Sequence, residues 1–486
     1  MNLLITTDNF GVFWYPLVQL GFIAALLLLG NTLRRKIPFL RKFLVPTGLI
    51  AGFLGLGLKY VFLATDINID GLRLIDENYM HFVTYHALAI GFIALGFVQS
   101  TKPQQKDGRP LKSGFLIVGG YLIQGVVGVL ASILLSLVFA NYALGQAPYA
   151  GILLPMAFGQ GPGQAGNIGG TFETLANADG TLAANALVGG RDFGLSLAAF
   201  GFIVATIIGT ILLNIMNKKG VVKRYGEDEV NKTRELLIVD HEDEIPVVES
   251  MDKFTVQVAL VLGAYLITFG VLKLLDFLIV DLFGVQALRS ILWGFNFLFA
   301  ILVTVAAKAI IKRLRKRGLM KRRYNNNYMQ NRIAGVAFDM MITAGVISIN
   351  FGKLNDPSMW ILFVVLVALG SLTAYIYMLI LSKKYFPRTR WYTFFAFFGL
   401  LTGTTSEGIA LLREIDPYYE SRVAEDMVNG AGMAAIFGAP LLVIVMFVTQ
   451  GPLLMWISFG LLVVLFTIMM LGLHFYTRRK EKELNK

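Results

Sequence analysis

The amino-acid sequence predicts an all-α polytopic membrane protein: two inverted five-span repeats, each with a re-entrant hairpin, plus one extra C-terminal span. Three observations predict it. The 486 residues are 56% hydrophobic and only 15% charged, whereas soluble chains carry close to a quarter charged residues. The apolar residues gather into runs of roughly 18 to 30, the length a helix needs to cross about 30 Å of hydrocarbon. Two glycine-rich segments interrupt this pattern at corresponding places in the two halves. The short alternating segments of an outer-membrane barrel are absent.

In chain order, apolar runs fall near 13–32, 44–63, 81–99, 114–139 and 187–216. A polar stretch over 217–253 follows, with Lys218, Lys219, Lys223 and Arg224 and an acidic cluster from Asp240 to Glu244. It is too charged to span and reads as a cytoplasmic linker. Runs resume near 254–280, 287–311, 331–350, 358–382, 424–449 and 452–476, for about eleven spans. The expected organisation is a first repeat over 1–216, the linker 217–253, a second repeat over 254–449, and an extra span with a basic tail over 450–486.

The formal charge of +12 would suggest nucleic acid in a soluble domain. Here Lys and Arg sit in short loops beside the spans, where they orient the chain and meet anionic lipid, so no nucleic-acid partner is expected. Arg34, Arg35, Lys36, Arg41 and Lys42 follow the first run, and Lys102, Lys106, Arg109 and Lys112 the third. Lys312 to Arg323 follow the seventh, Lys383, Lys384, Arg388 and Arg390 the ninth, and Arg478, Arg479 and Lys480 the last. The loop with Asp66, Asp70, Asp76 and Glu77 is acidic. Placing basic loops inside satisfies all of these at once, with the N-terminus outside and the C-terminus in the cytoplasm. The first apolar run is a full span without a cationic leader, so no cleavable signal peptide is expected. There is no cysteine, which excludes disulfides, thiolate metal sites and cysteine nucleophiles.

This threading requires that the segments 148–170 and 393–413 do not cross. Gly161, Pro162 and Gly163 cannot lie in an unbroken helix without freeing backbone groups. In lipid such groups cost several kcal/mol each, so the break must be buried in protein or line a cavity. Both segments read as re-entrant hairpins. Free amides at half-helix N-termini attract anions, and unwound carbonyls coordinate a small cation such as sodium. The candidate substrate-binding residues are Gly159, Gln160, Gly161, Pro162, Gly163, Gln164 and Asn167 in the first hairpin, and Thr402, Gly403, Thr404, Thr405, Ser406 and Glu407 in the second. The alternative is that small residues there only let helices pack closely.

Acids inside spans are costly and functional by default. Glu407, Asp339 in the eighth run and Asp192 in the fifth are therefore the candidate ion-coupling residues, although Arg191 and Asp192 also read as an outer-end salt bridge. His86 reads as a helix-contact residue, and Lys308 as a side chain that reaches the inner interface. With four histidines and no cysteine, no catalytic or metal-ligand constellation stands out, so neither an enzyme nor a cofactor is expected.

At these hairpins the sequence resembles the bacterial glutamate:sodium symporter (ESS) family. Gly159-Gln160-Gly161-Pro162-Gly163-Gln164-Ala165 is similar to that family's first loop, Gly-His-Gly-Thr-Gly-Ala-Ala. Gly403-Thr404-Thr405-Ser406 through Ile409-Ala410, with Glu414-Ile415 and Pro417, is similar to its second. Val45-Pro46-Thr47-Gly48 through Leu54 resembles its second span. The resemblance implies inverted repeats, a homodimer in the bacterial cytoplasmic (inner) membrane, and sodium-coupled uptake of glutamate or a related small amino acid or carboxylate. Gln160 replaces a histidine and Glu407 an uncharged residue, and the added negative charge argues against assuming a glutamate-like dianion. The related 2-hydroxycarboxylate transporters share the hairpin architecture, so citrate- or malate-like substrates, with sodium or proton coupling, stay open. A passive channel would need a continuous polar stripe, whereas the polar residues concentrate at two breaks.

Overall fold

The computed structural model describes residues 10–65, 75–98, 109–175, 181–225, 252–282, 289–320, 324–417 and 419–484. The acidic residues Asp66 and Asp70, the basic Lys102 and Lys106, and the linker cluster Asp240 to Glu244 lie outside the described residues. The first half contains α1 (Phe10–Lys36), α2 (Thr47–Thr65), α3 (Glu77–Phe97) and α4 (Arg109–Val138). The short α5 (Leu153–Ala157) and α6 (Pro162–Glu173) come next, then α7 (Gly190–Lys218), which contains a π-helical turn at Val204–Ile208. The second half contains α8 (Lys253–Leu275), α9 (Asn296–Lys316), α10 (Asn327–Ser348) and α11 (Pro357–Tyr385). It continues through α12 (Arg390–Thr402), α13 (Thr405–Arg413), α14 (Val423–Phe437) and α15 (Ala439–Phe447), and α16 (Pro452–Leu484) closes the chain.

Among the described residues, eight helices are long and apolar enough to cross a membrane, and α14 with α15 forms a further candidate bent by 48°. The protein is membrane-spanning. The sequence reading of about eleven crossings also counted α9 and α10. These are 21 and 22 residues long, and both carry charge within their length, from Lys308 to Lys316 in one and at Arg332 and Asp339 in the other. The run at 287–311 divides into a short helix at Arg289–Gly294 and α9.

Small residues set the packing. On α2, Gly48, Gly52 and Gly55 lie at helical spacing, and α10 approaches so closely that a Cβ on Gly52 would stand 2.6 Å from Val346. Close approach through such stripes is how helices associate where lipid removes the hydrophobic driving force. The contacts follow a matched order: α1 packs on α2 as α8 packs on α9. Likewise α2 packs on α10 as α9 packs on α3, and α4 on α14 as α11 on α7, with the α3–α10 pair between them.

Both glycine-rich segments are broken and turned back. In the first, Tyr149 before α5 stacks edge-on against Phe172 near the end of α6, with ring centroids 5.2 Å apart. Residues 23 positions apart are therefore side by side. In the second, α13 folds onto α12 so tightly that a Cβ on Gly399 would lie 2.8 Å from the Gly408 Cα.

Candidate functional site

The two breaks meet. Gly159 and Gly161 both have φ of +83°, a region that glycine enters without steric cost. Space demands glycine as well, since a Cβ on Gly159 would stand 2.9 Å from the Leu400 carbonyl oxygen of the second break. A Cβ on Gly161 would lie 3.2 Å from Thr404 Cγ2. Pro162 then opens α6 at its first position, where a missing N–H costs nothing. The first turns of α6 and α13 thus start from one contact point.

α4 ties the breaks together. The Tyr121 hydroxyl donates to the Gly159 carbonyl at 3.2 Å, and three residues on, the Gln124 amide donates to the Leu401 carbonyl at 2.8 Å. Residues three apart share one helix face, so a single face of α4 serves a freed carbonyl from each break. α7 supplies the opposite wall. Its Gly201 lies against the Thr402 carbonyl, Phe202 faces Gly161, and Ala205, inside the π-turn, packs on Gly403. Single π-turns within α-helices are frequent at functional sites.

Glu407 is 3% exposed and occupies the third position of α13. Thr404 caps that helix by accepting the Ser406 N–H at 3.3 Å, and its hydroxyl donates to the Glu407 carboxylate. Thr404 and Glu407 stand at the Thr-x-x-Glu spacing of a capping box, and the hydroxyl–carboxylate bond gives Glu407 a structural task at the tip. Glu407 forms no ion pair among the described residues. Asp339 and Ser406 are exposed, Thr404 and Thr405 half-buried, so Glu407 lies just beneath an accessible surface.

The remaining sequence candidates divide. Gln160 is half-buried and donates to the Pro155 carbonyl at 3.1 Å, and the Thr402 hydroxyl is satisfied by Phe398 at 2.7 Å. Gln164 and Asn167 are buried in α6, where Gln164 Oε1 and Asn167 Nδ2 have no hydrogen-bond partner. Gly163 packs against Leu88 and Met341 of α3 and α10.

Asp192 lies away from the breaks. It is fully buried at the start of α7, accepts the Asn350 N–H at 2.7 Å, and lies 3.9 Å from Lys353. Nor does it pair with Arg191, which instead meets Glu173 at 4.0 Å. Neighbouring helical residues point in different directions, and that separates the two side chains. The same cluster holds Lys59, which donates to the Ser348 and Ile349 carbonyls at 3.2 and 2.7 Å and lies 3.7 Å from Glu77. Glu77 in turn accepts from Lys353 at 2.8 Å and from Asn350 at 2.9 Å. For Lys353, in the loop after α10, burial favours the neutral amine. The hydrogen bond that Lys353 donates to Glu77 and the charges of Asp192, Glu77 and Glu173 outweigh it, so its pKa is raised above the ordinary 10.5. His86 is a helix-contact residue, with Nδ1 2.6 Å from the Tyr265 hydroxyl, and Lys308 donates to the Val98 carbonyl at 3.0 Å.

Sequence reasoning missed Tyr121, Gln124, Lys59 and the π-turn. Gln124 and Lys59 left a signal, being single polar residues within apolar runs. The π-turn sequence Val204-Ala205-Thr206-Ile207-Ile208 has none. Among the described residues, no group of three or more His, Asp or Glu is placed to hold a metal ion. No protein-family model matches the chain, and no curated protein matches it significantly.

Proposed function

We propose that this chain is a sodium-coupled symporter for a small amino acid or carboxylate, working by alternating access between two inverted halves. The observation that carries the reading is the meeting of the two helix breaks, Gly159–Gly161 against Leu400–Thr404, beneath an accessible surface. Broken helices that meet inside a bundle present amide hydrogens and carbonyl oxygens where an unbroken helix presents none, and secondary transporters use that chemistry to hold an anionic solute and its cation. The matched order of contacts supports inverted repeats, because exchanging the halves exchanges α2–α10 with α9–α3 and returns α3–α10 to itself. In this reading the two folded-back segments are re-entrant hairpins, the basic loops face the cytoplasm, and the protein works as a homodimer in the bacterial inner membrane, as in the family its hairpins resemble.

The solute's carboxylate sits at the α6 N-terminus, and sodium sits among freed carbonyls at the C-terminal end of α12, where the helix dipole favours a cation. One observation favours a second reading, in which protons drive transport. Glu407 is a buried acid that forms no ion pair among the described residues, and an unpaired acid in the membrane region is a candidate carrier of a coupling proton. Uptake by purified protein in liposomes, with sodium and proton gradients imposed separately, tests both. Accumulation driven by the sodium gradient alone supports symport with sodium, and accumulation driven only by the proton gradient replaces sodium with the proton. Equilibration without accumulation under either gradient makes the protein a pore and overturns the reading.

A further inference from the structure

We infer that an anionic phospholipid binds between α7 and α11, one acyl chain lying in an apolar groove against the π-turn and the headgroup held by Lys218, Lys219, Lys383 and Lys384. The inference goes beyond the transporter reading and does not depend on it. The groove has a volume of about 340 Å³ and is lined on α7 by Phe200, Val204 and Ile208 and on α11 by Val364, Ala368 and Ser371. Its one polar side chain is already satisfied, since the Ser371 hydroxyl donates to the Val367 carbonyl at 2.6 Å. A polar ligand would find no hydrogen bonds there, which leaves hydrocarbon. The volume is at the lower end of the range for ligand pockets, about 300–1,000 Å³, and suits a slender chain. Within a bilayer the chain gains close packing rather than escape from water, and a fitted groove supplies contacts that a convex helix surface does not.

The charges identify which hydrocarbon. Phe200 meets Phe363 edge-on with ring centroids 5.0 Å apart, and Ile208 and Ser371, each eight residues further on, also line the groove together. The two helices therefore run side by side in one direction. Beyond the groove neither carries a charge until Lys218, ten residues past Ile208, and Lys383, twelve past Ser371. At about 1.5 Å per residue these lie about 15 and 18 Å from the groove's end, close to the roughly 15 Å that one leaflet contributes to a hydrocarbon core of about 30 Å. Ile211 and Ile215 on α7 and Ile376 and Ile380 on α11 are exposed along that length, so the path is apolar throughout.

All four lysines at its end are exposed, and Lys384 also lies 5.2 Å over the Tyr385 ring. No acid occurs between Gly209 and Lys219 or between Leu372 and Lys384. Glu414, the acid that Arg224 links to Asn214 of α7, is held by that arginine at 2.7 Å. Such a cluster complements an anionic headgroup, each lysine near the bilayer surface strengthening binding about fivefold. The π-turn has a second face. Val204 and Ile208 line the groove, whereas Ala205 packs on Gly403, and Phe202 faces Gly161 where the two breaks meet. A bound chain braces the turn from behind the tips.

The test uses purified, delipidated full-length protein in detergent and three probes: long-chain phosphatidylglycerol, long-chain phosphatidylcholine and short-chain phosphatidylglycerol. Native mass spectrometry reads lipid retention, and melting temperature reads the bracing. Long-chain phosphatidylglycerol is expected to bind about tenfold or more tighter than either other probe and to raise the melting temperature. Ala368→Trp fills the groove from an exposed position, so the protein should fold. It should weaken that binding about tenfold or more and abolish the thermal shift. Val364→Trp repeats the block if the first variant melts early, and Leu266→Trp, on an exposed position of α8, should change neither readout. Lys218→Gln combined with Lys383→Gln should erase most of the preference for phosphatidylglycerol over phosphatidylcholine. Long-chain phosphatidylglycerol that binds no tighter than the other probes, or as tightly in both groove variants as in the parent, overturns the inference. A groove variant that alters the mass of the assembly while lipid retention stays unchanged also overturns it, and assigns the groove to a second copy of the chain.

Discussion

Asp192 and Glu407 are both buried acids, each in the first turn of a helix. Around Asp192 the structure assembles compensation: the Asn350 N–H at 2.7 Å, Lys353 at 3.9 Å, and Lys59 within electrostatic reach. Around Glu407 it supplies the Thr404 hydroxyl and, among the described residues, no ion pair. An acid inside a span costs about 2.5–3.5 kcal/mol on insertion scales. In the Asp192 cluster that cost is offset by fixed partners that join α2, α3 and α7 to the loop after α10. At the tip the compensation is partial, a hydroxyl without an ion pair among the described residues. Burial and residue type are alike in the two acids, so neither separates a compensated acid from an uncompensated one. The neighbouring charges do.

The largest expected effect tests the outer half of this comparison. Lys59→Met removes a 4% exposed ammonium that caps two α10 carbonyls and faces Glu77. Breaking a buried pair typically costs about 3–5 kcal/mol, and the loss should appear as a lower melting temperature in detergent. A melting temperature unchanged from the parent would show that the cluster contributes nothing to the fold. Glu407→Gln should behave oppositely, with melting changed by less than about 1 kcal/mol because the box is kept, and with concentrative uptake reduced about 100-fold. Were it to melt like Lys59→Met while retaining uptake, Glu407 would be a structural cap and the contrast would fail.

Next in size is the clamp from α4. Gln124→Leu leaves the buried Leu401 carbonyl without its donor, at a cost of about 1–3 kcal/mol. Tyr121→Phe removes a longer bond of 3.2 Å from a half-buried hydroxyl and should cost less, about 0.5–1.5 kcal/mol. Thermal melting of the two variants reads the order, and the reverse order would mean that the first break, rather than the second, depends on the clamp.

The clamp also shows where sequence reading stops. Gly161-Pro162-Gly163 announces a break because no helix accommodates it, and Glu407 is visible because charge is scarce in apolar runs. The membrane-spanning helices were equally legible, from run length alone. What holds the breaks in place was not, because the donor to a freed carbonyl comes from a helix remote in sequence. Gln124 lies 277 positions from Leu401, and nothing local to either residue records the bond. The outer cluster was illegible for the same reason. Arg191 and Asp192 are adjacent in sequence and suggest a pair, but α7 turns them toward different partners.

The smallest effect sharpens the comparison through pH. Lys353 is 46% exposed, so its pairing contributes little in solvent, but its pKa is raised above 10.5 by Glu77 and Asp192 against the opposing effect of burial. A raised folded-state pKa gives stability that is complete below the unfolded value and lost as pH rises through the folded one. Melting temperature should therefore be insensitive to this residue from neutral pH to about 10 and should fall above it. Lys353→Met should start slightly lower and show a shallower alkaline decline. A variant with the same decline as the parent would remove Lys353 from the compensation of Asp192. That would leave Lys59 and the Asn350 amide to carry it, and the outer cluster would then differ from the tip by a single buried cation.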